Sequence, residues 1–310
     1  MQTRNRGSFF LSPLTANQMT TNLLNSLARP FLRLVGRYRG LRENALRCFC
    51  RGLVSLSTVP ARMQLRRTGP LKILIDNSVL GHSITHESGW ISTGVKKWGH
   101  LDIETGYAAR IPVHSPTNDT RTYNEVRYLA GIAALAKRGA LQLFDSSELK
   151  AEQFRQPMGR FRGYGYFDLG LFNNVKIANI DRGLHLDLQD PKEAQLKRVA
   201  SCNDPQFRSL LKLLGQKNSL DAYHIYTAER FGLFAFLHID FRLEAVIAQH
   251  STNPVLANLK TKVLKPSQLG KLLGLLPIDT NILSYEGSSF PVHPELHWDT
   301  QARKRPRKAQ

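Results

Sequence analysis

The sequence predicts an α/β protein, with a three-layer α/β/α fold around a central, mostly parallel sheet. Short aliphatic runs alternate with amphipathic helical segments over residues 71–275, and this alternation is typical of parallel sheets. Two of these runs, "LKILI" and "LFAFLHI", are each followed by an aspartate. Hydrophobic residues make up 42% of the chain, enough to bury the core of one such domain.

The first half of the pattern begins with a strand at Leu71–Ile75, whose aliphatic run indicates burial. Residues 82–118 are irregular, with short strands expected around "WISTG" and "YAARIPV". Residues 122–139 are predicted as one helix that ends at Gly139, after a basic pair that is a usual C-terminal signal. The segment "ALQLF" is the next strand, and "SSELKAEQF" starts the helix that follows it.

The second half opens with a Gly- and aromatic-rich excursion at 156–190. The segments "DPKEAQLKRVA" and "DPQFRSLLKLLG" each predict a helix with Asp as N-cap and Pro in the first turn. A helix over 219–232 then leads into the strand "LFAFLHI" and Asp240. The segment "TKVLKP" is the last strand, and "SQLGKLLGLL" the last helix.

The positive charge lies mainly at the two ends of the chain. Of the net charge of +19, residues 1–70 supply +11 from twelve Arg and one acid, and the last ten residues supply +5. We therefore predict a basic N-terminal extension at 1–68, a domain at 69–280 and a tail with a basic end at 281–310. Three interpretations of the extension stay open: an organelle transit peptide, a basic arm for nucleic acid, or translation from a start upstream of Met63.

Three cysteines are too few for a disulfide framework. No apolar run reaches the roughly 20 residues that a membrane-spanning helix needs. These two observations predict a reducing, cytoplasmic setting and no membrane partner.

The two strand-end aspartates, Asp76 and Asp240, are the first candidate site residues, because ligands of parallel sheets bind at the carboxyl ends of strands. Asp221 opens the helix before the second of these strands, on a face it shares with apolar residues one and two turns later. Glu125 lies early in the preceding long helix. Crowded carboxylates repel one another unless a hard cation balances them, and oxygen ligands suit Mg²⁺ or Mn²⁺.

Each acid also has a purely structural interpretation. Thr122-x-x-Glu125 matches a capping box, and the helix dipole favours Asp221 in a first turn whatever its function. Asp76 and Asp240 are also typical of turns that follow strands. The hypothesis of a metal site depends on the strand-to-Asp pattern, which occurs twice.

Three segments resemble a PIN domain. They are "ILIDNSVL", "NEVRYLAG" about 50 residues later, and "SLDAYHIYTAERFGLFAFLHIDFRL", in which the second Asp follows the first by 19 residues. The segment "TKVLKPSQL" looks like the closing strand and helix of that family, so the resemblance covers about 71–275. It implies a parallel sheet flanked by helices and a metal-dependent endoribonuclease that hydrolyses RNA phosphodiester bonds.

The resemblance also implies roles for single residues. Asp76, Glu125, Asp221 and Asp240 fall on the four acidic positions, as catalytic residues and ligands of Mg²⁺ or Mn²⁺. Ser78 falls on the small hydroxyl after the first acid, where it would contact substrate. The segments 82–118 and 156–204 are longer than in compact members, and "FRLE" follows Asp240 where many members have a further polar or acidic residue.

We expect the nucleic acid that the protein binds to be single-stranded RNA. The segment "GRFRGYGYFDLGLF" interleaves Arg160 and Arg162 with aromatic residues, a composition that can stack and clamp a single strand. Its structural alternative is a loop whose rings pack on the domain. The basic tail is either a flexible charged end or a source of non-specific phosphate attraction.

Two functions other than a ribonuclease stay open. One is a PIN-fold module that binds RNA without cleaving it. The other is an α/β domain whose acids are caps and turn formers and whose basic ends hold nucleic acid or a membrane surface. A second copy of the chain or an inhibitory protein stays open as a partner.

Overall fold

The computed structural model describes residues 41–285, apart from 43, 118, 156–168 and 186–188. Arg160, Arg162 and the basic tail lie outside the described residues. Contacts divide the chain into two units, Met1–Cys48 and Phe49–Gln310. The strands and helices given below all belong to the second unit.

The strands of this unit form two sheets. In chain order the strands are β1 Leu71–Ile75, β2 Ile84–Trp98, β3 Leu101–Pro112, β4 Leu141–Asp145, β5 Leu169–Gly170, β6 Ile177–Asn179, β7 Ala235–Leu237 and β8 Lys262–Leu264. The five-stranded sheet has the order β6-β4-β1-β7-β8, and every pair in it is parallel. This confirms the predicted α/β fold with a central parallel sheet.

Helices connect the strands and cover the sheet. They are α1 Val59–Thr68, α2 Asn77–His82, α3 Thr120–Val126, α4 Leu129–Lys137, α5 Ser147–Phe154, α6 Pro191–Ala200, α7 Pro205–Leu214, α8 Ser219–Arg230, α9 Phe241–Gln249, α10 Pro254–Ala257 and α11 Pro266–Leu273. Residues 49–57 are also helical. Short 3-10 helices lie at Gln216–Asn218 and Thr280–Tyr285.

The central strand β1 is buried on both faces, as a parallel strand between two helical layers should be. Its Ile73 and Ile75 belong to one core cluster, which includes Leu129 of α4 and Leu269 of α11. Its Leu74 faces the other cluster, which includes Phe207 of α7. The alternation along one strand thus joins both halves of the core.

The predicted domain boundaries at residues 69 and 280 need correction. The compact unit begins at Phe49, and Ala61 and Leu65 of α1 are buried in the core. The thiol of Cys50 donates to the Ile282 carbonyl at 2.8 Å, and Leu283 is also buried. The Arg-rich composition of 49–68 concealed a helix that presents its few apolar residues to the core.

Within the segment predicted to be irregular, residues 84–112 form a long antiparallel hairpin instead of short isolated strands. The pairing of β2 with β3 runs from His86–Pro112 to Trp98–Leu101, with a register shift between Ser92 and Gly94. Only the base of the hairpin is buried. In the outer part β3 alternates apolar and polar residues from Leu101 to Tyr107, whereas β2 has no regular alternation there.

Two predictions on the helices are also wrong in detail. The predicted single helix at 122–139 is divided into α3 and α4, with a break at Arg127 and Tyr128. Asp190 has a left-handed backbone and makes no side-chain cap, whereas Asp204 caps α7 as predicted, accepting from Gln206 N at 2.8 Å. The helices α9 and α10 were not predicted.

Helices of the described part of the chain are all too short or too polar to cross a membrane.

Candidate active site at the carboxyl edge of the sheet

Asp76 lies directly after β1 and caps α2. Its carboxylate accepts a hydrogen bond from Ser78 N at 3.0 Å and another from the Ser78 hydroxyl. Its own backbone N–H donates to Leu237 O at 2.9 Å, which continues the pairing of β1 with β7. The end of β1 is thereby fixed against the end of its neighbour.

Asp240 follows β7 and caps α9. Its Oδ1 accepts from Arg242 N at 2.7 Å and from Leu243 N at 3.2 Å. The preceding residue, Ile239, donates its N–H to the Ser78 hydroxyl at 2.9 Å. Ser78 therefore joins the two strand ends, a positioning role that was not predicted from the sequence, while its contact with substrate stays a prediction.

Asp221 lies in the first turn of α8, where the negative charges of Asp76 and Asp240 act on it. Burial raises the pKa of Asp221 to about 6, the His224 charge opposes this rise, and the negative charges of Asp76, Asp240 and Glu152 add to it. Asp76 and Asp240 are therefore close enough to Asp221 to influence its pKa. The raised pKa of Asp221 thus comes mainly from burial, and the neighbouring carboxylates add to it.

Glu125 is engaged by a different pair of residues. It is buried and accepts from Ser267 N at 2.8 Å and from the Ser267 hydroxyl at 2.9 Å. Lys265 Nζ lies 3.4 Å from its Oε1. Its carboxylate thus binds the first turn of α11, where helix N–H groups favour an anion. The capping-box interpretation is wrong, because Asp119 and not Thr122 caps α3, accepting from Thr122 N at 3.0 Å.

A buried ion pair lies beside the aspartates and was missed in the sequence. His224 Nε2 is 3.0 Å from Glu152 Oε1, and Glu152 Oε2 also accepts from Asn77 Nδ2 at 3.1 Å. Burial opposes the charge on His224, but Glu152, with smaller contributions from Asp76 and Asp221, raises the pKa of His224 to about 9. Burial would raise the pKa of Glu152 as well, yet His224 holds it below its usual value.

The position of His224 was visible in the sequence, since it follows Asp221 by three residues and so lies near the same helix face. Glu152 had no comparable signal, because its partner lies 72 residues away. The pair is charged on both members at neutral pH. It therefore places a fixed cation next to the acidic cluster.

A third strand ends in an aspartate. Asp145 is the last residue of β4, which lies on the other side of β1 from β7. Burial raises the pKa of Asp145 to about 6, Lys150 lowers it and Asp181 raises it further. Lys150 Nζ is 3.6 Å from Asp145 Oδ1. The run "ALQLFD" repeats the strand-to-Asp pattern that identified Asp76 and Asp240.

The donor chemistry of this edge fits a hard divalent cation. Asp76, Asp221 and Asp240 offer carboxylate oxygens, and the raised pKa of Asp221 is the response expected of a group that a nearby cation would relieve. As placed, no three His, Cys, Asp or Glu side chains of the described residues already form a group that could hold a metal ion.

Comparison with known proteins does not identify a family for this chain. No family model, no curated protein and no solved structure matches the chain. The functional assignment therefore depends on the acidic residues at the carboxyl edge of the sheet. Asp76 and Asp240 follow the adjacent strands β1 and β7, and Asp221 opens the helix before β7. The Glu152–His224 ion pair lies beside them.

Proposed function

We propose that the protein is a PIN-like, metal-dependent endoribonuclease. The observation that carries the proposal is that Asp76 and Asp240 follow the adjacent strands β1 and β7 and that the negative charges of both raise the pKa of the buried Asp221. Such crowding costs free energy in a stable fold unless it serves to hold a cation. The strand-to-Asp pattern and the resemblance of the sequence segments support the same assignment.

In this proposal Asp76, Asp221 and Asp240 hold Mg²⁺ or Mn²⁺ directly. The bound ion would supply an activated water and charge stabilisation of the displaced oxygen. Ser78 keeps the two strand ends in register through its bonds to Asp76 and Ile239 N. Glu125 holds α11 in place and forms the border of the site, with Lys265 beside it.

The Glu152–His224 pair has a positioning role in the same proposal. Its histidine opposes the rise in the pKa of Asp221, so it keeps that carboxylate more readily ionised and available as a ligand. Single-stranded RNA would lie across the carboxyl edge. Arg160 and Arg162 stay predicted contacts of the strand.

The test is cleavage of a labelled pool of randomised single-stranded RNAs in the presence of Mn²⁺ or Mg²⁺. Asp76→Asn or Asp240→Asn should slow cleavage at least ~100-fold, because the loss of ~3 kcal/mol of charge stabilisation slows a reaction by that factor. Both variants should keep the circular dichroism spectrum of the parent, since an amide can still accept the capping hydrogen bonds.

The matched control is Asp145→Asn, which changes the acid at the end of the neighbouring strand β4 but leaves the three aspartates intact. It should cleave at the parent rate. An equal loss of RNA cleavage in all three variants would contradict the assignment of the site. RNA that is bound but left uncut by the parent protein would instead support a non-cleaving RNA-binding module.

A further inference from the structure

The outer part of the β2–β3 hairpin, residues 90–107, is here called the arm. Pairing of β3 with β2 gives each strand an alternating set of side chains. One face of the arm carries Ile91, Trp98, Leu101, Ile103 and Tyr107, together with the single charged residue Lys96. The opposite face carries Val95, Trp90 and the opposed charges of Lys97 and Asp102, among others.

The apolar face of the arm is open to solvent. Trp98 is 78% exposed, Leu101 68%, Ile103 39% and Tyr107 36%. Soluble proteins rarely leave such contiguous apolar side chains uncovered, and where they do the patch marks an interaction site. Trp98, Leu101 and Ile103 are neighbours on one face, and Tyr107 continues the same row beyond Thr105, so the four residues form a stripe and not a set of scattered exposures.

The edges of the arm are open as well. β5 pairs with β2 only at Ile84 and His86, both at the base, and β3 has no further neighbour among the described strands. A two-stranded hairpin alone in water is only marginally stable. At the tip of the arm, where Trp98 and Leu101 are the most exposed, no other described strand pairs with either edge, so a partner surface would supply packing that the other strands have.

The charge of the arm favours a second copy of this chain over a nucleic acid. Residues 90–107 contain two Lys and two acids, so the arm offers no net attraction to a polyanion. Two identical arms with no net charge can approach without repulsion. Lys96 can lay its aliphatic stem along the stripe and keep its ammonium group in water.

The area of the stripe suits an interface of ordinary size. Taking ~200 Å² for a large side chain, the four residues expose on the order of 400 Å² of apolar surface. A standard interface buries ~800 Å² on each partner, of which somewhat more than half is apolar. The stripe thus supplies roughly the apolar share that one partner must contribute.

We propose that the arms of two copies pack through this stripe, face to face about a two-fold axis, and make the protein a homodimer. The proposal is independent of any nuclease activity, because the arm contributes no residue to the acidic edge. Residues at the tip of the arm, Trp98 and Leu101, form the centre of the interface.

The experiment is sedimentation velocity of the full chain over a range from ~0.1 to ~100 µM, with three proteins compared. Leu101→Asp places a charge in the stripe and should raise the dimer dissociation constant at least ~30-fold, the ratio expected for loss of a central interface residue. Val95→Asp is the matched control, because Val95 is 65% exposed on the same arm but on the opposite face. It should dimerise like the parent protein.

Thermal unfolding followed by circular dichroism shows whether both variants are folded, as expected for exposed positions. A parent protein that stays monomeric at ~100 µM would overturn the proposal. Dimerisation that survives Leu101→Asp, or that Val95→Asp abolishes equally, would show that the stripe is not the interface.

Discussion

Asp221 carries an electrostatic cost in the folded state. Its pKa is raised from 3.8 to about 6, so the folded state holds its proton more tightly than the unfolded chain does. The carboxylate therefore lowers stability fully above pH 6, partly between pH 4 and 6, and not below pH 4. A shift of about two units corresponds to ~3 kcal/mol.

Replacement of Asp221 by Asn should consequently raise the free energy of unfolding by ~1–3 kcal/mol at pH 7.5 in EDTA. Near pH 4 the gain should vanish, because the parent carboxyl is then protonated in the folded state. Urea unfolding at the two pH values measures the effect. A variant destabilised to the same extent at both would show that the carboxylate bears no such cost.

The stability that the Glu152–His224 pair contributes also declines as the pH rises, but in a higher pH range. Because the pKa of His224 is raised to about 9, its contribution to stability is complete below pH 6.5 and is lost as the pH rises through 9. Removing one member of a buried pair leaves the other uncompensated, which typically costs ~3–5 kcal/mol.

Glu152→Gln should therefore destabilise the protein by several kcal/mol at pH 7 and remove the decline in stability between pH 6.5 and 9. Chemical denaturation across that range checks both points. The control is Glu193→Gln, which breaks an exposed pair with Lys197 on α6 and should cost less than ~0.5 kcal/mol. Equal effects of the two substitutions would refute the special role of the buried pair.

Among the elements, α1 and the helical residues before it decide where the folded unit begins. Ala61 is fully buried and Cys50 is 1% exposed, and the Ser57 carbonyl accepts from Leu276 N at 3.3 Å. A chain that starts at Met63 would lose all of these contacts and the first turn of α1. A chain that starts at Phe49 would keep them.

We expect a chain that starts at Phe49 to unfold at the same urea concentration as the full chain. For a chain that starts at Met63, the free energy of unfolding should fall by at least ~2–4 kcal/mol, the usual cost of emptied core positions. Equilibrium urea unfolding of the three lengths makes the comparison. If the Met63 start is as stable as the others, the segment 49–62 does not belong to the core.

Elements whose local signals agree with the tertiary structure could be predicted from the sequence. β1 and β7 are aliphatic and buried, and α7 has both its cap Asp204 and an amphipathic face. The helix over 122–139 was predicted whole, because helical periodicity continues across the break at Tyr128. The hairpin was underestimated, because the alternation along β3 at 101–107 has no counterpart in β2 at 90–98.

The site was predictable only where its residues follow strands. Asp76 and Asp240 are marked by aliphatic runs that end in an acid, and Asp221 by its place before the second run. Glu152 and Lys265 reach the site through tertiary packing, so no local pattern identifies them. Glu125 was placed among the acids by resemblance, and its hydrogen bonds to Ser267 come from a segment 142 residues away.

At the scale of the whole described unit, the candidate site and a basic hollow lie at opposite edges of the central sheet. Asp76 and Asp240 follow the carboxyl ends of β1 and β7, whereas a hollow at the amino edge, next to Pro70 and Ala140, is lined by Arg62, Arg66 and Arg138. The segments 49–75 and 127–144 contain no acid at all. The attraction of these bases for a polyanion should therefore weaken as salt concentration rises.

The central position of β1 also fixes an order of events during synthesis. β1 receives its second neighbour only when β7 emerges, about 160 residues later, which takes ~8–30 s at the usual pace of translation. The hairpin needs only its own two-residue turn at Gly99 and His100 and closes within microseconds. Each nascent chain therefore displays a finished arm beside an unfinished sheet, so two chains on one polysome can meet through their arms before either has folded.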